Sequence, residues 1–170
     1  MPDIGRDVEA CLLDEDGSAR DLNFESPTWS GIEKLIRDLQ DDFSEVEVHD
    51  DGGNKVPAVD VAAALRRIRD QDGYVHMSLR GGRALVSHLQ VFVGYTDSPF
   101  PFVELTFFPD DVVRSVSLEA QFLAWLEQIQ RTLQAKRAYA RYENATWKLG
   151  EVGARSGVFY STEPSEGSDE

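Results

Sequence analysis

The feature that most constrains this chain is the alternation of apolar and polar residues between Arg83 and Asp111. Leu85, Leu89, Val91 and Val93 fall on one side of a first extended run, and Val103, Leu105 and Phe107 do the same in a second. The Asp/Ser/Pro stretch between them reads as a loop, so the segment predicts a long hairpin with one core-facing surface. Its other surface would carry Val86, His88, Gln90, Phe92, Glu104, Thr106 and Phe108, a polar and aromatic mixture that meets either a second layer or a partner. Upstream, Tyr74–Leu79 reads as a further strand. A three-residue loop at Arg80-Gly81-Gly82 with a glycine bulge keeps Val75, Met77 and Leu79 on the apolar side, giving an antiparallel meander of three strands.

Helical spacing appears in three places. Ile32, Leu35, Ile36, Leu39 and Phe43 recur at the right interval, with Ser30 and Glu33 fitting a capping box and Ser26-Pro27 a competing start. Pro57 opens a second helix, with Val61, Ala64, Leu65 and Ile68 inward and Arg66, Arg67 and Arg69 outward. Ser117 caps a third, in which Leu118, Phe122, Trp125, Leu126, Ile129 and Leu133 hold core spacing. Asp7–Leu13 alternates well enough for a strand, joined by the acidic turn Asp14–Gly17 to a second strand at Asp21–Phe24. Glu45–Val48, Tyr139–Trp147 and Gly157–Ser161 complete the strands. The expected fold is α+β: an antiparallel sheet of about five to seven strands, with three helices at about 28–42, 57–70 and 117–136 packed mainly on one face. Residues 1–162 are expected to form a single α+β domain, and 163–170 (EPSEGSDE) a disordered acidic tail.

Charge is the strongest global signal. The formal net charge is −14, and residues 1–60 hold 17 acidic and 5 basic side chains against 14 and 12 in the remainder. Such an asymmetry argues against direct binding of nucleic acid or an anionic membrane by the N-terminal third, and favours a basic protein partner. No apolar run approaches the roughly 18 to 20 residues of a membrane helix. The N-terminal MPDIGRDVEA is acidic where a secretory signal is basic and then apolar, so the expected compartment is the cytoplasm. The single cysteine, Cys11, has no intrachain disulfide partner and reads as a small, half-buried strand residue.

No motif fixes a reaction. There is no G-x-S-x-G elbow or glycine-rich phosphate loop, and His49, His76 and His88 lack metal-ligand spacing. Asp50-Asp51-Gly52-Gly53-Asn54 has the composition of a calcium loop, but the twelfth position, Val61, is not the glutamate such a loop requires. Neither a metal nor a cofactor is expected. His76, His88 and Glu104 would share the open sheet face and form the best candidate for general acid and base chemistry in a small hydrolase or transferase. Trp29 and Trp147, near segment ends, are candidate aromatic anchors. Phe92 and Phe108 on the open face suit an oligomer contact, a homodimer or a structural adaptor.

The strings RDLNF (Arg20–Phe24), FVELTFFPDD (Phe102–Asp111) and RYENATW (Arg141–Trp147), followed by SGVF, resemble small bacterial proteins found among immunity proteins of secreted, polymorphic or contact-dependent toxin systems. The resemblance implies a cytoplasmic, non-enzymatic antitoxin that binds and blocks a cognate toxin domain. Such families define no catalytic residues, so none is carried over. An acidic surface suits that role independently, because it accelerates association with a basic toxin domain. The residues expected to meet the partner are Asp14, Glu15, Asp16, Asp38, Asp41, Asp42, Asp50, Asp51 and Trp29, with His76, His88, Phe92, Glu104 and Phe108 as an alternative open-face site.

Overall fold

The computed structural model describes residues 7–71, 73–83, 85–95, 101–143 and 157–164. In chain order these form α1 (Val8–Leu13), β1 (Arg20–Glu25), α2 (Trp29–Asp42), β2 (Phe43–Asp50), β3 (Lys55–Val56), α3 (Val61–Gln71), β4 (Tyr74–Gly82), β5 (His88–Tyr95), β6 (Pro101–Phe107), α4 (Leu118–Leu133), β7 (Arg137–Tyr142) and β8 (Val158–Ser161), with short 3-10 turns at Ala58–Asp60 and Pro109–Asp111. The fold is α+β. Among the described residues the antiparallel sheet has eight strands in the order β3-β2-β4-β5-β6-β1-β7-β8.

Period-two alternation carries one core row across six strands: Val48, Met77, Val91, Leu105, Leu22 and Ala140 stand in register. All six are buried. On this side lie α2, α3 and α4, whose buried stripes (Ile32, Leu35, Ile36 and Leu39; Val61, Ala64, Leu65 and Ile68; Phe122, Leu126, Ile129 and Leu133) close a connected apolar cluster running from Val8 to Phe159. The α2 start meets the α4 end so closely that the Thr28 amide donates to the Leu133 carbonyl at 3.0 Å. A Cβ on Gly31 would lie 2.6 Å from that same carbonyl, so the crossing requires glycine.

Several local expectations are corrected. Asp7–Leu13 is a helix: the Asp7 carboxylate accepts from the Ala10 amide, and Val8, Cys11 and Leu12 are buried at the i, i+3, i+4 spacing that a helix, not a strand, places together. β1 therefore pairs with β6 and β7, not with a hairpin partner before it. Thr28, not Ser30 or Ser26, caps α2, its hydroxyl accepting from the Gly31 amide at 3.1 Å. The Ser117 hydroxyl accepts from the Gln121 side chain and caps no α4 amide. β4 runs through Gly82 because Phe43 of β2 still pairs there, so Arg80–Gly82 is strand, not loop. Val86 leaves the expected open face and is buried in a bridge to Val112, while the Leu85 carbonyl accepts from the Val113 amide.

Arg20 is the one fully buried cation among the described residues. Its guanidinium donates to the carbonyls of Cys11 and Asp14 at 2.7 Å and of Ser18 at 2.9 Å, and lies 4.0 Å from the Tyr142 ring centroid. It thereby ties α1 and the following turn to the start of β1. The carbonyl of Glu163 accepts from the Gln130 side chain at 3.4 Å; residues 165–170 of the expected tail lie outside the described residues.

Candidate functional site: a polar and aromatic sheet face

Side chains opposite the core fall into two registered rows. One runs His49, His76, Phe92, Glu104, Asn23 and Tyr139; the other runs Glu47, Ser78, Gln90, Thr106, Asp21 and Arg141. Strand alternation alone puts them on one face.

The β6, β1 and β7 part of this face is a closed polar network. The Arg141 Nε donates to Asn23 Oδ1 at 3.0 Å, the Asn23 amide donates to Glu104 at 2.9 Å, and the Thr106 hydroxyl donates to Asp21 at 2.8 Å. Arg141 and Asp21 pair at 3.4 Å, with side chains only 6% exposed. Burial pushes the Asp21 carboxyl above its ordinary value against the pull of Thr106 and Arg141. Burial does the same to Glu104, and the negative charge of Asp21 pushes it further. Burial lowers Arg141, opposed by Asp21, Glu104 and Glu143. Around Arg141, then, the described carboxylates outnumber the guanidinium, and two of them are held at an electrostatic cost.

Beside this network the face is hollow. Tyr74, Gly94 and Phe102 stand in register on β4, β5 and β6. Gly94 lets the backbone pack tightly there: a Cβ on it would meet the Gly73 carbonyl at 2.5 Å and the Tyr74 Cβ at 2.8 Å. With Phe92 and Glu104 from the next row, Tyr74 and Phe102 line a depression of about 320 Å³. Its position is fixed from behind: His76 stacks on Phe92 at 4.5 Å between centroids with an 18° interplanar angle, and His76 in turn bonds Gln90 at 2.9 Å.

The open-face histidines and Glu104 do not converge. Phe92 stands between His76 and Glu104 in the register, which separates their backbones by two strand spacings, roughly 10 Å. His88 is engaged by Ser78 at 3.0 Å and approaches Asp111 at 3.9 Å. The three side chains share a face without sharing a pocket, so an acid and base pair is not assembled. Phe108, 41% exposed, lies beyond the end of β6 and lines a separate depression with Glu15, Gly17, Ser18, Pro109 and Asp110.

The acidic residues singled out in the sequence occupy both ends of the sheet. Asp14, Glu15 and Asp16 lie before β1, and Asp38, Asp41 and Asp42 lie on the last turns of α2, which lead into β2; β1 and β2 are four strands apart, roughly 19 Å. Asp16 accepts from the Ser18 amide and hydroxyl and pairs with Arg20, and Asp14 accepts from Tyr142, so both serve the local structure. Glu15 is exposed, 4.0 Å from Arg114, and Asp38 pairs with Lys34 along its helix. Asp41 and Asp42 border a depression shared with Arg83.

At the opposite end, Asp50 closes its own turn, accepting from the Gly52 and Asn54 amides, chiefly the latter, which holds its carboxyl below the ordinary value. That geometry is an Asx turn, with the side chain replacing a backbone acceptor. The Asp51 carboxylate sits where a Cβ on Gly73, the residue before Tyr74, would meet it at 2.7 Å. Trp29 is half-buried on the helix-bearing side, its indole donating to the Tyr95 hydroxyl at 2.7 Å. Trp147 lies outside the described residues.

Asp21, Asn23 and Arg141, with Tyr74 and Phe102, are residues that the sequence pattern does not assign to a candidate site. The signal was present in RDLNFE, where Asp21 and Asn23 alternate with Leu22 and Phe24, but only the pairing of β1 between β6 and β7 brings these groups together.

Fold and face together define an α+β sheet protein that covers one face with helices and carries polar and aromatic side chains on the other, with Asp21, Asn23, Tyr139 and Arg141 of β1 and β7 buried. No protein-family model matches the chain, and no curated protein matches it. Among solved structures it is similar to a chain of the crystal structure described as the toxic C-terminal tip of CdiA from Pseudomonas aeruginosa in complex with immune protein. The match has a TM-score of 0.60 at 12% identity and covers 86% of this chain and 96% of that one. The likeness establishes a shared fold.

Proposed function

We propose that this chain is an immunity protein: a non-enzymatic binding protein of the bacterial cytoplasm that captures a cognate, basic toxin domain and blocks it. The observation that carries the reading is the near-complete structural match to a chain from a toxin and immune protein complex. The charge of −14 and the sheet face with its excess of buried carboxylates support it. Long-range attraction between an acidic inhibitor and a basic toxin raises the encounter rate, and desolvated groups at the contact supply specificity. The acidic residues at both sheet ends would steer, and the open face between them would hold.

The test begins with the tagged protein as bait in lysate of its native host, eluted in steps of rising salt and analysed by mass spectrometry. The expected result is a basic protein released only at high salt, toxic when expressed alone and harmless when co-expressed with this chain. A captured protein whose toxicity is unchanged by co-expression, or no salt-sensitive partner, overturns the reading.

A further inference from the structure

We infer that the depression walled by Tyr74, Phe92, Phe102 and Glu104 is an anchor site for one arginine side chain of the basic protein partner. The inference deepens the immunity reading by naming the chemistry of its central contact. Its volume, about 320 Å³, is at the small end of ligand pockets, which run from roughly 300 to 1,000 Å³, and suits one side chain. Three of its four walls are aromatic and the fourth is a carboxylate. That combination matches a guanidinium, which stacks on ring faces, pairs with a carboxylate and surrenders its hydration more readily than an ammonium. A neutral apolar side chain would cover Glu104 without adding a cation to it; an acidic one would be repelled by Glu104 and, behind it, by Asp21.

The site is built before the partner arrives. Asn23 fixes the Glu104 carboxylate from β1 at 2.9 Å, and His76 backs the Phe92 ring from β4. Gly94, between Tyr74 and Phe102 in the register, admits the close approach of the Gly73 carbonyl, which a Cβ there would meet at 2.5 Å, and so sets the Tyr74 wall. Arg141 pairs with Asn23 and Asp21 and acts on Glu104 through its charge, while Glu104 itself lines the depression from which an incoming guanidinium would approach.

The experiment needs no toxin. Amide resonances of the 15N-labelled protein are followed during titration with Nα-acetyl-arginine amide to about 50 mM, a range set by the weak affinity open to a fragment. Nα-acetyl-lysine amide and Nα-acetyl-norleucine amide are run at matched ionic strength. The expected result is saturable shifts at Tyr74, Phe92, Phe102 and Glu104 with the arginine probe, weaker ones with lysine and none with norleucine. In Glu104→Gln, which keeps an acceptor for Asn23, affinity for the arginine probe should fall about tenfold, the loss of one charge-assisted bond. Phe92→Leu, which keeps the apolar volume, should also weaken it. Absence of saturable shifts, shifts that survive Glu104→Gln, or equal binding of lysine overturns the assignment. A chain that binds the arginine probe through Glu104 but neutralises no toxin retains this site and loses the immunity reading; the reverse result loses only this site.

Discussion

Glu104 and Asn23 face each other across the β6 and β1 pair, and the asparagine amide holds the carboxylate at 2.9 Å in a setting where burial favours its neutral form. A group kept ionised against its surroundings weakens the fold that holds it and strengthens whatever cation relieves it.

Glu104→Gln should therefore raise stability while lowering partner affinity. The sign follows from linkage: a carboxyl raised in the folded state contributes stability that is complete below its unfolded value, near 4.3, and lost as pH rises through the folded one. Urea unfolding of parent and variant across pH 4 to 8 should show the variant's advantage growing with pH. A gap that is flat, or that shrinks with pH, would show that Glu104 is not held at a cost.

Arg20→Met should be among the most damaging single changes. It strips donors from the buried carbonyls of Cys11, Asp14 and Ser18, a loss expected at about 3–5 kcal/mol for breaking a buried charged network. At this chain length that is a fall in Tm of roughly 10 °C, measurable by calorimetry. A change under ~1 kcal/mol would mean the α1 tie is dispensable.

Gly31→Ala sets two effects against each other. Helix propensity favours alanine by about 1 kcal/mol, whereas overpacking against the Leu133 backbone, where the new Cβ would lie at 2.6 Å, costs about 1–3 kcal/mol. The clash involves backbone on both sides and cannot relax by a rotamer change, so net destabilisation is expected in denaturant titrations. Stabilisation would show that the α2 and α4 crossing opens freely.

Charge reversal should separate steering from holding in the complex with the proposed partner. Asp41→Lys with Asp42→Lys, on the helix before β2, should slow association by roughly tenfold at low salt and leave dissociation unchanged. Asp51→Lys, beside Gly73 and so one residue from Tyr74, should also speed dissociation. Stopped-flow measurements at two ionic strengths resolve the cases, and equal effects on both rates from every reversal would dissolve the distinction.

Much of the architecture was legible because period-two and helical patterns are strong where one face is buried: the alternation in Tyr74–Leu79, His88–Val93 and Val103–Phe107 placed the core face correctly. Short segments resisted. Val8, Cys11 and Leu12 fit a helix face, yet six residues offer too few repeats to separate that from a strand. The candidate site was legible only in part, since Phe92 and Glu104 could be assigned to a face but Asp21, Asn23 and Arg141 join them through pairings that span most of the chain. Histidines 76 and 88 share a face by parity; strand offset, which alternation does not encode, decides that they do not meet Glu104.

The insertion of β1 between β6 and β7 gives the face a temporal property. Asn23 waits 81 residues for Glu104 and 118 for its contact with Arg141. On a ribosome, β1 is made early and has no strand neighbour until β6 emerges, and its second neighbour, β7, follows only in the last third of the chain, so the network closes late, across a high-entropy closure. On the proposed function, recognition and completion of synthesis would become one event: a nascent or truncated chain lacking β7 keeps most of its negative charge and would attract a basic protein, but has not yet formed the surface that would retain it.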